Sequence, residues 1–277
     1  MLVRLWGKMQ PNIIFLGSGS GSVVMGKQLR GTGGIILQVD DHQFHIDPGP
    51  GALNMAKNCY VNMRENTAVL TSHNHIGHCN DVNAVIGAMT HSGLDKKGIL
   101  VGNSLTINGD KFTKPYVTDF HKRCLERFVV LEEGKKLGID DIEIRACVTK
   151  HSTDNIGFKF LTSDFTLSYL SDTAYFPELV DQHKDSDILI MNVVNPFGEP
   201  ARHNLNSDNA VKLINKLKPK LTIMTHFSVK MLKADPLLEA RRIYQETKSQ
   251  VIAAKDGMVI NPLSYSTKRK QKTLKSY

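Results

Sequence analysis

The segment Ser72-His73-Asn74-His75-Ile76-Gly77-His78 puts three imidazoles within six residues, a spacing typical of metal ligands. His73 and His75 are two apart, so on an extended segment their side chains leave the same face. Gly77 permits the short turn that brings His78 round. Downstream, His151 stands in Thr149-Lys150-His151-Ser152, Asp172 in Leu170-Ser171-Asp172-Thr173, and His226 in Met224-Thr225-His226-Phe227. A lone histidine near a strand end is ordinarily a hydrogen-bonded structural residue. As a set, neutral imidazoles with a carboxylate are the donors that zinc and similar divalent ions select. Cys79, beside the cluster, reads either as a weak extra ligand or as ordinary packing.

Such residues need a rigid scaffold. Residues 67–72 read as a strand ending at the histidine motif, while 142–148, 166–170 and 221–225 read as strands leading to His151, Asp172 and His226. Ligands at strand ends, with adaptable loops above, are how a layered α/β enzyme carries a site. Residues 12–17 read as an opening strand, 34–39 and 43–47 as a hairpin across Asp40-Asp41-His42, and 98–102, 156–160 and 188–192 as further strands. The periodicity predicts helices at 52–58, 81–89, 208–217 and 237–247, with Pro219 stopping the third. Residues 117–126 read as a helix bearing His121, Lys122 and Arg123, either gripping an anion over the site or presenting a solvated face. Residues 251–254 and 258–260 are expected to close the sheet. The run Gly17-Ser18-Gly19-Ser20-Gly21-Ser22 lacks the lysine-threonine of a phosphate loop and shows no evident helix start. It reads as backbone passing beneath the site. Periodicity alone supports the class α/β.

The histidine pattern resembles the metallo-β-lactamase superfamily, over residues 11–262. The family's first motif is His-x-His-x-Asp-His, against His73-Asn74-His75-Ile76-Gly77-His78 here, and its other ligands match His151, Asp172 and His226 in order. The resemblance implies an αββα four-layer sandwich forming one domain over residues 1–265. It implies a first metal on His73, His75 and His151, a second on His78 and His226, and Asp172 between them. The ions would be two zincs, with manganese, iron, nickel or cobalt as alternatives. Gly77 stands where the family carries an aspartate for the second metal, so the second site is expected to be weaker. Asn80 or Asp81 is a candidate to replace that carboxylate. Asp47-Pro48-Gly49 matches a family Asp-x-Gly that supports the metals. Arg202-His203-Asn204-Leu205-Asn206-Ser207 resembles the His-Leu-Ser stretch of the branch that includes RNase Z and cyclic phosphodiesterases. His203 would there contact the phosphate or protonate the leaving oxygen, with Arg202 on the anion and the next helix N-terminus adding a favourable dipole. The alternative is that His203 merely caps that helix.

Composition sets the outer limits. The 277 residues are 41% hydrophobic, enough for a large core. No run approaches the ~18 uncharged apolar residues of a membrane span. The N-terminus shows no signal-peptide apolar core, so a cytoplasmic location is expected. Cys59, Cys79, Cys124 and Cys147 are widely spaced and read as free thiols. Five of the eight net positive charges fall in the last ten residues, on Lys268, Arg269, Lys270, Lys272 and Lys275. Residues 266–277 therefore read as a detachable basic tail that either favours polyanions or aids solubility. The expected partner is an anionic small molecule or a nucleic acid, with no membrane; a homodimer is admissible. Three functions stay open. One is a metal-dependent phosphodiesterase or nuclease-like hydrolase, in which Asp172 and His203 serve an attacking hydroxide activated by metal. Another is a lactonase or β-lactamase-like hydrolase of a cyclic ester or amide. The third is a metal-binding protein whose catalysis Gly77 has weakened or removed.

Overall fold

Alternation along the strands sorts the apolar side chains into three cores. In Asn12–Gly17, Ile13 and Phe15 face one way and Ile14 and Leu16 the other, because successive strand side chains leave opposite faces. Ile13 and Phe15 join Ile35, Phe44, Phe158, Phe160 and Ile190 in the layer between two sheets. Ile14, Leu16 and Ile36 pack instead against the helices Ala52–Asn58 and Val82–Thr90 outside the first sheet. Leu189, Met191 and Met224 pack against Ser207–Leu217 and Pro236–Thr247 outside the second. Helix, sheet, sheet, helix is the αββα order. Strands such as Ile188–Asn195 are covered on both faces, which is why they read as continuous apolar runs.

The computed structural model describes residues 10–267, so the cluster from Lys268 to Lys275 lies outside the described residues. Among those described, the first sheet has seven strands, in the order Val259–Ile260, Asn12–Gly17, Thr32–Val39, His42–Ile46, Asn66–Thr71, Ile99–Gly102 and Arg127–Val130. The second has eight. Seven run Val251–Ala253, Leu221–Thr225, Ile188–Asn195, Thr166–Tyr169, Ile156–Leu161, Ile142–Val148 and Lys136–Ile139, and Leu205–Asn206 pairs beside Ile188–Asn195. Asp40 and Asp41 take φ of 49° and 63°, the primed turn that fits the twist of the hairpin they join. No helix of the described residues is long and apolar enough to cross a membrane.

The structure departs from the sequence expectations in four places. Residues 251–254 and 258–260 do not close one sheet: Val251–Ala253 edges the second and Val259–Ile260 the first. The chain between them crosses from sheet to sheet, which apolar patterning cannot reveal because both ends look alike. The expected helix over 117–126 is Asp119–Cys124, capped by Thr118 and packed beside Val82–Thr90 rather than over the site. The glycine-serine run does lead into a short helix, Ser22–Gly26, whose start its glycines disguise. The strands Arg127–Val130 and Lys136–Ile139 were not expected either, because largely exposed positions blur their alternation.

Two histidines are fully buried away from the metal-ligand candidates. Burial pushes His183, which has no hydrogen-bond partner on either ring nitrogen among the described residues, down to about 3. Burial likewise pushes His45 down to about 4, although its Nε2 donates to the Gly33 carbonyl at 2.8 Å. Unfolded, both titrate near about 6.5, so in acid the unfolded chain binds more protons. Their contribution to stability is therefore complete above about pH 6.5 and falls with pH, by up to about 1.4 kcal/mol per pH unit per histidine. His183→Leu should flatten that slope. Urea midpoints from about pH 7 to about pH 5 check it, and an unchanged slope in the variant would contradict it.

Candidate metal centre

Asn66–Thr71 ends at Ser72 and delivers His73 and His75. The single turn Ile76–Cys79 swings His78 back until its ring centroid lies 4.1 Å from that of His73. Ile142–Val148 leads to His151, Thr166–Tyr169 to Asp172, and Leu221–Thr225 to His226. His73 Nε2 is 3.0 Å from His75 Nδ1, which is 3.2 Å from His151 Nε2. Asp172 Oδ1 is 3.3 Å from His226 Nε2, while Oδ2 is 3.6 Å from His78 Nε2 and 3.7 Å from His151 Nε2. His78 Nε2 and His226 Nε2 lie 3.3 Å apart. The ligand atoms of His73, His75 and His151 all fall within 4.8 Å of one another, as do those of His73, His78 and Asp172. All six sequence candidates for metal ligation thus meet in one place.

The far sides of the rings are held. Asp47 accepts from His78 Nδ1 at 2.9 Å, and from Ser72 N, Ser72 Oγ and the Tyr169 hydroxyl, each at 2.7 Å. Ser72 Oγ, its own proton given to Asp47, accepts from His73 Nδ1 at 2.9 Å. His151 Nδ1 donates to the His203 carbonyl at 2.8 Å. With each Nδ1 committed as a donor, Nε2 is the atom that His73, His78 and His151 turn toward the centre, as metal-binding imidazoles do. Burial and the facing His78 push His73 well below its ordinary value, and burial with His151 lowers His75. Burial alone would lower His78, but Asp172 and Asp47 on either side outweigh it and raise it to about 10. A cation there must displace a proton. Burial would raise Asp172, yet His226 and His78 outweigh it and hold its carboxyl well below the usual range. Burial and the neighbouring Asp47 push Tyr169 well up, so it stays a neutral donor. Asp47, Ser171 and His226 hold left-handed φ values of 53°, 57° and 67°. Such strain costs about 1–3 kcal/mol per residue and persists where the surroundings over-determine the backbone.

Four readings that the sequence left as alternatives do not hold. Asp81 does not replace the missing carboxylate: its oxygens accept from Ala52 N at 2.9 Å and Asn80 Nδ2 at 2.8 Å. Asn80 is occupied with the Tyr116 hydroxyl at 3.1 Å, and neither residue lines the cavity above the centre. Cys79 is no ligand, since its thiol points to the His75 carbonyl at 3.3 Å and burial pushes its pKa strongly up. His203 is not the helix cap. Asn206 caps Ser207–Leu217, and Asp208 in the first turn accepts from Gly198 N at 2.9 Å, so the helix dipole already has its anion. None of His121, Lys122 and Arg123 lines the cavity above the centre.

Above the centre opens a cavity of about 520 Å³. Its walls include Ser20, Met25, Ile76, Arg202, His203 and Asn204, so the Arg202-His203-Asn204 stretch faces the site. Gly77 lines this cavity too, and a Cβ added there would meet only Met25 Sδ, at an ordinary 3.7 Å. Sequence reading missed Asn192, whose Nδ2 donates to Asp172 Oδ1 at 2.7 Å, and Asn155, whose Nδ2 donates to the Asp172 carbonyl. The available signal for Asn192 was a polar residue inside an apolar strand.

A profile of the Beta-lactamase superfamily domain matches residues 42–227, a span that takes in every ligand candidate. The chain belongs to the metallo-β-lactamase superfamily. An uncharacterised protein of Methanocaldococcus jannaschii is 33% identical over 259 residues, covering 92% of this chain and 97% of the relative. The metallo-β-lactamase fold protein YhfI of Bacillus subtilis superposes with a TM-score of 0.76 at 18% identity, covering 91% of this chain and 99% of that one. A diphosphatase from the PhnP family superposes with a TM-score of 0.68 at 19% identity, covering 92% and 98%. At those identities the solved structures establish the metallo-β-lactamase fold. Membership of this superfamily makes the chain a metallo-hydrolase by fold, with divalent-metal binding implied.

Proposed function

We propose that the chain is a metal-dependent phosphodiesterase acting on a small phosphodiester. One divalent ion would be held by His73, His75 and His151 and a second by His78 and His226, with Asp172 shared. One observation carries the reading: imidazole nitrogens converge on one buried carboxylate while Asp47, Ser72 and the His203 carbonyl fix the rings from behind. Donors of this kind suit zinc, and manganese, iron, nickel or cobalt can use them. When bound, such ions acidify a water and polarise a phosphoryl oxygen.

The protein's own share follows from its residues. Asp172 supplies the negative charge, and Asn192 keeps it oriented. His203 reaches the cavity from the wall and donates a proton to the leaving oxygen. Among the described residues, Arg202 is the one permanently cationic side chain lining the cavity, and it pairs with the substrate anion. A single such cation suits one phosphodiester better than a strand of them. Small-molecule sites span about 300–1,000 Å³, and this cavity, at about 520 Å³, falls among them.

The test is a panel of cyclic nucleotides, an aryl phosphodiester, a lactone and single-stranded RNA, with zinc-loaded protein. Small phosphodiesters are expected to lead. His203→Ala should lower kcat about a hundredfold on an alkoxide leaving group. It should matter far less on a nitrophenolate, which leaves without a proton. A preference for the lactone, with His203→Ala neutral, would move the chain to ester hydrolysis.

A further inference from the structure

We infer that Asp256, which does not line the cavity above the centre, is a positioning residue for His226 and the second ligand set. The inference rests on His226 being a metal ligand, as proposed above.

Asp256 lies on the segment that crosses from Val251–Ala253 in the second sheet to Val259–Ile260 in the first. Gly257 N donates to the Phe15 carbonyl at 2.8 Å and Phe15 N to the Met258 carbonyl at 3.0 Å, which fixes the crossing against the opening strand. From there Asp256 clasps two loops. Its Oδ1 accepts from Ser18 N at 2.9 Å and Ser18 Oγ at 2.7 Å, and its Oδ2 accepts from Gly31 N at 2.6 Å. Hydrogen bonds to a carboxylate are charge-assisted and stronger than neutral ones.

Ser18 passes the constraint on. Its carbonyl accepts from Phe227 N at 2.8 Å, and Ser20 N donates to the Phe227 carbonyl at 3.0 Å, with Gly19 and Phe227 bridged as a parallel pair. Phe227 follows His226, whose φ of 67° needs outside support. The path from carboxylate to imidazole is thus one side chain and a few backbone hydrogen bonds. It has little slack. A Cβ at Gly17 would lie 2.4 Å from the Gly31 carbonyl carbon, and one at Gly19 would lie 2.7 Å from Arg30 Cβ. The two loops touch backbone to backbone, and the same glycine-serine loop supplies Ser20, Gly21 and Ser22 to the cavity wall.

Asp256→Asn keeps the shape but turns an amide N–H₂ toward one of these donors. The expected result is a folded protein whose second zinc binds about tenfold more weakly, the size seen when an outer partner of a metal ligand is lost. The first zinc should be unchanged. Ser18→Ala removes one of the three hydrogen bonds, leaves the carboxylate in place, and should show a smaller loss at the same site. Zinc titration of the metal-free full chain against a chromophoric chelator reads both constants. The absorption spectrum of the cobalt-loaded protein reports the geometry of the weaker site, and thermal unfolding reports the fold. His226→Ala is the reference. Asp256→Asn and Ser18→Ala shifting the constant that His226→Ala abolishes would support the inference. Wild-type constants and an unaltered cobalt spectrum in both would overturn it. If His226→Ala itself binds zinc as the wild type does, His226 is no ligand, and the inference falls together with the reading beneath it.

Discussion

Replacing Asp172 by asparagine is expected to lower kcat/KM for a phosphodiester by at least about a thousandfold, or about 4 kcal/mol of transition-state stabilisation. Asp172 is the carboxylate on which the imidazoles converge, and it is buried. Two divalent ions bring four positive charges into a space where every other candidate donor is a neutral imidazole. Low dielectric magnifies the loss of the balancing charge. Asparagine keeps the shape, so the change isolates the charge. It also turns an amide toward Asn192 Nδ2 or His226 Nε2, each a contact that suits an acceptor. Steady-state rates with metal content measured on the same sample check the result. Activity within about tenfold of wild type would remove Asp172 from the centre of the chemistry.

Gly77→Asp is expected to tighten binding of the second ion by at least about tenfold and to raise turnover when metal is limiting. The backbone permits it, since Gly77 is not in the left-handed region and an added Cβ meets only Met25 Sδ at 3.7 Å. The new carboxylate would enter beside His78, whose ring already faces Asp172. It would double the negative charge offered to the ions. Metal titration and rates at limiting zinc read the effect. If neither changes, the glycine is an adaptation of an already competent centre. A large rise in turnover would identify the native chain as a metal-binding protein with restrained catalysis.

Much of the candidate site was legible in the sequence because each ligand sits at a strand end or in the turn beyond it, where an apolar run stops at a polar residue. His151, Asp172 and His226 each close such a run. The αββα layering came from the family resemblance and not from periodicity, because strands such as Asn12–Gly17 are apolar on both faces, each feeding a different core. The supporting network was harder to see. Asp47 read as a supporting residue, but its grip on His78, Ser72 and Tyr169 joins three segments far apart in sequence. Asp256 drew no reading at all, because nothing local says that its carboxylate reaches a loop at the other end of the chain. Asn80 and Asp81 misled by proximity: adjacency to the histidine motif says nothing of direction, and one helical turn aims them at Tyr116 and Ala52.

The measurement that bears most directly on the binuclear centre is metal content per chain. It would be taken by elemental analysis on protein purified without chelator, beside the His78→Ala variant. Close to about two ions in the wild type and about one in the variant is the expected result. One ion or fewer in the wild type, with no change on losing His78, would contradict it.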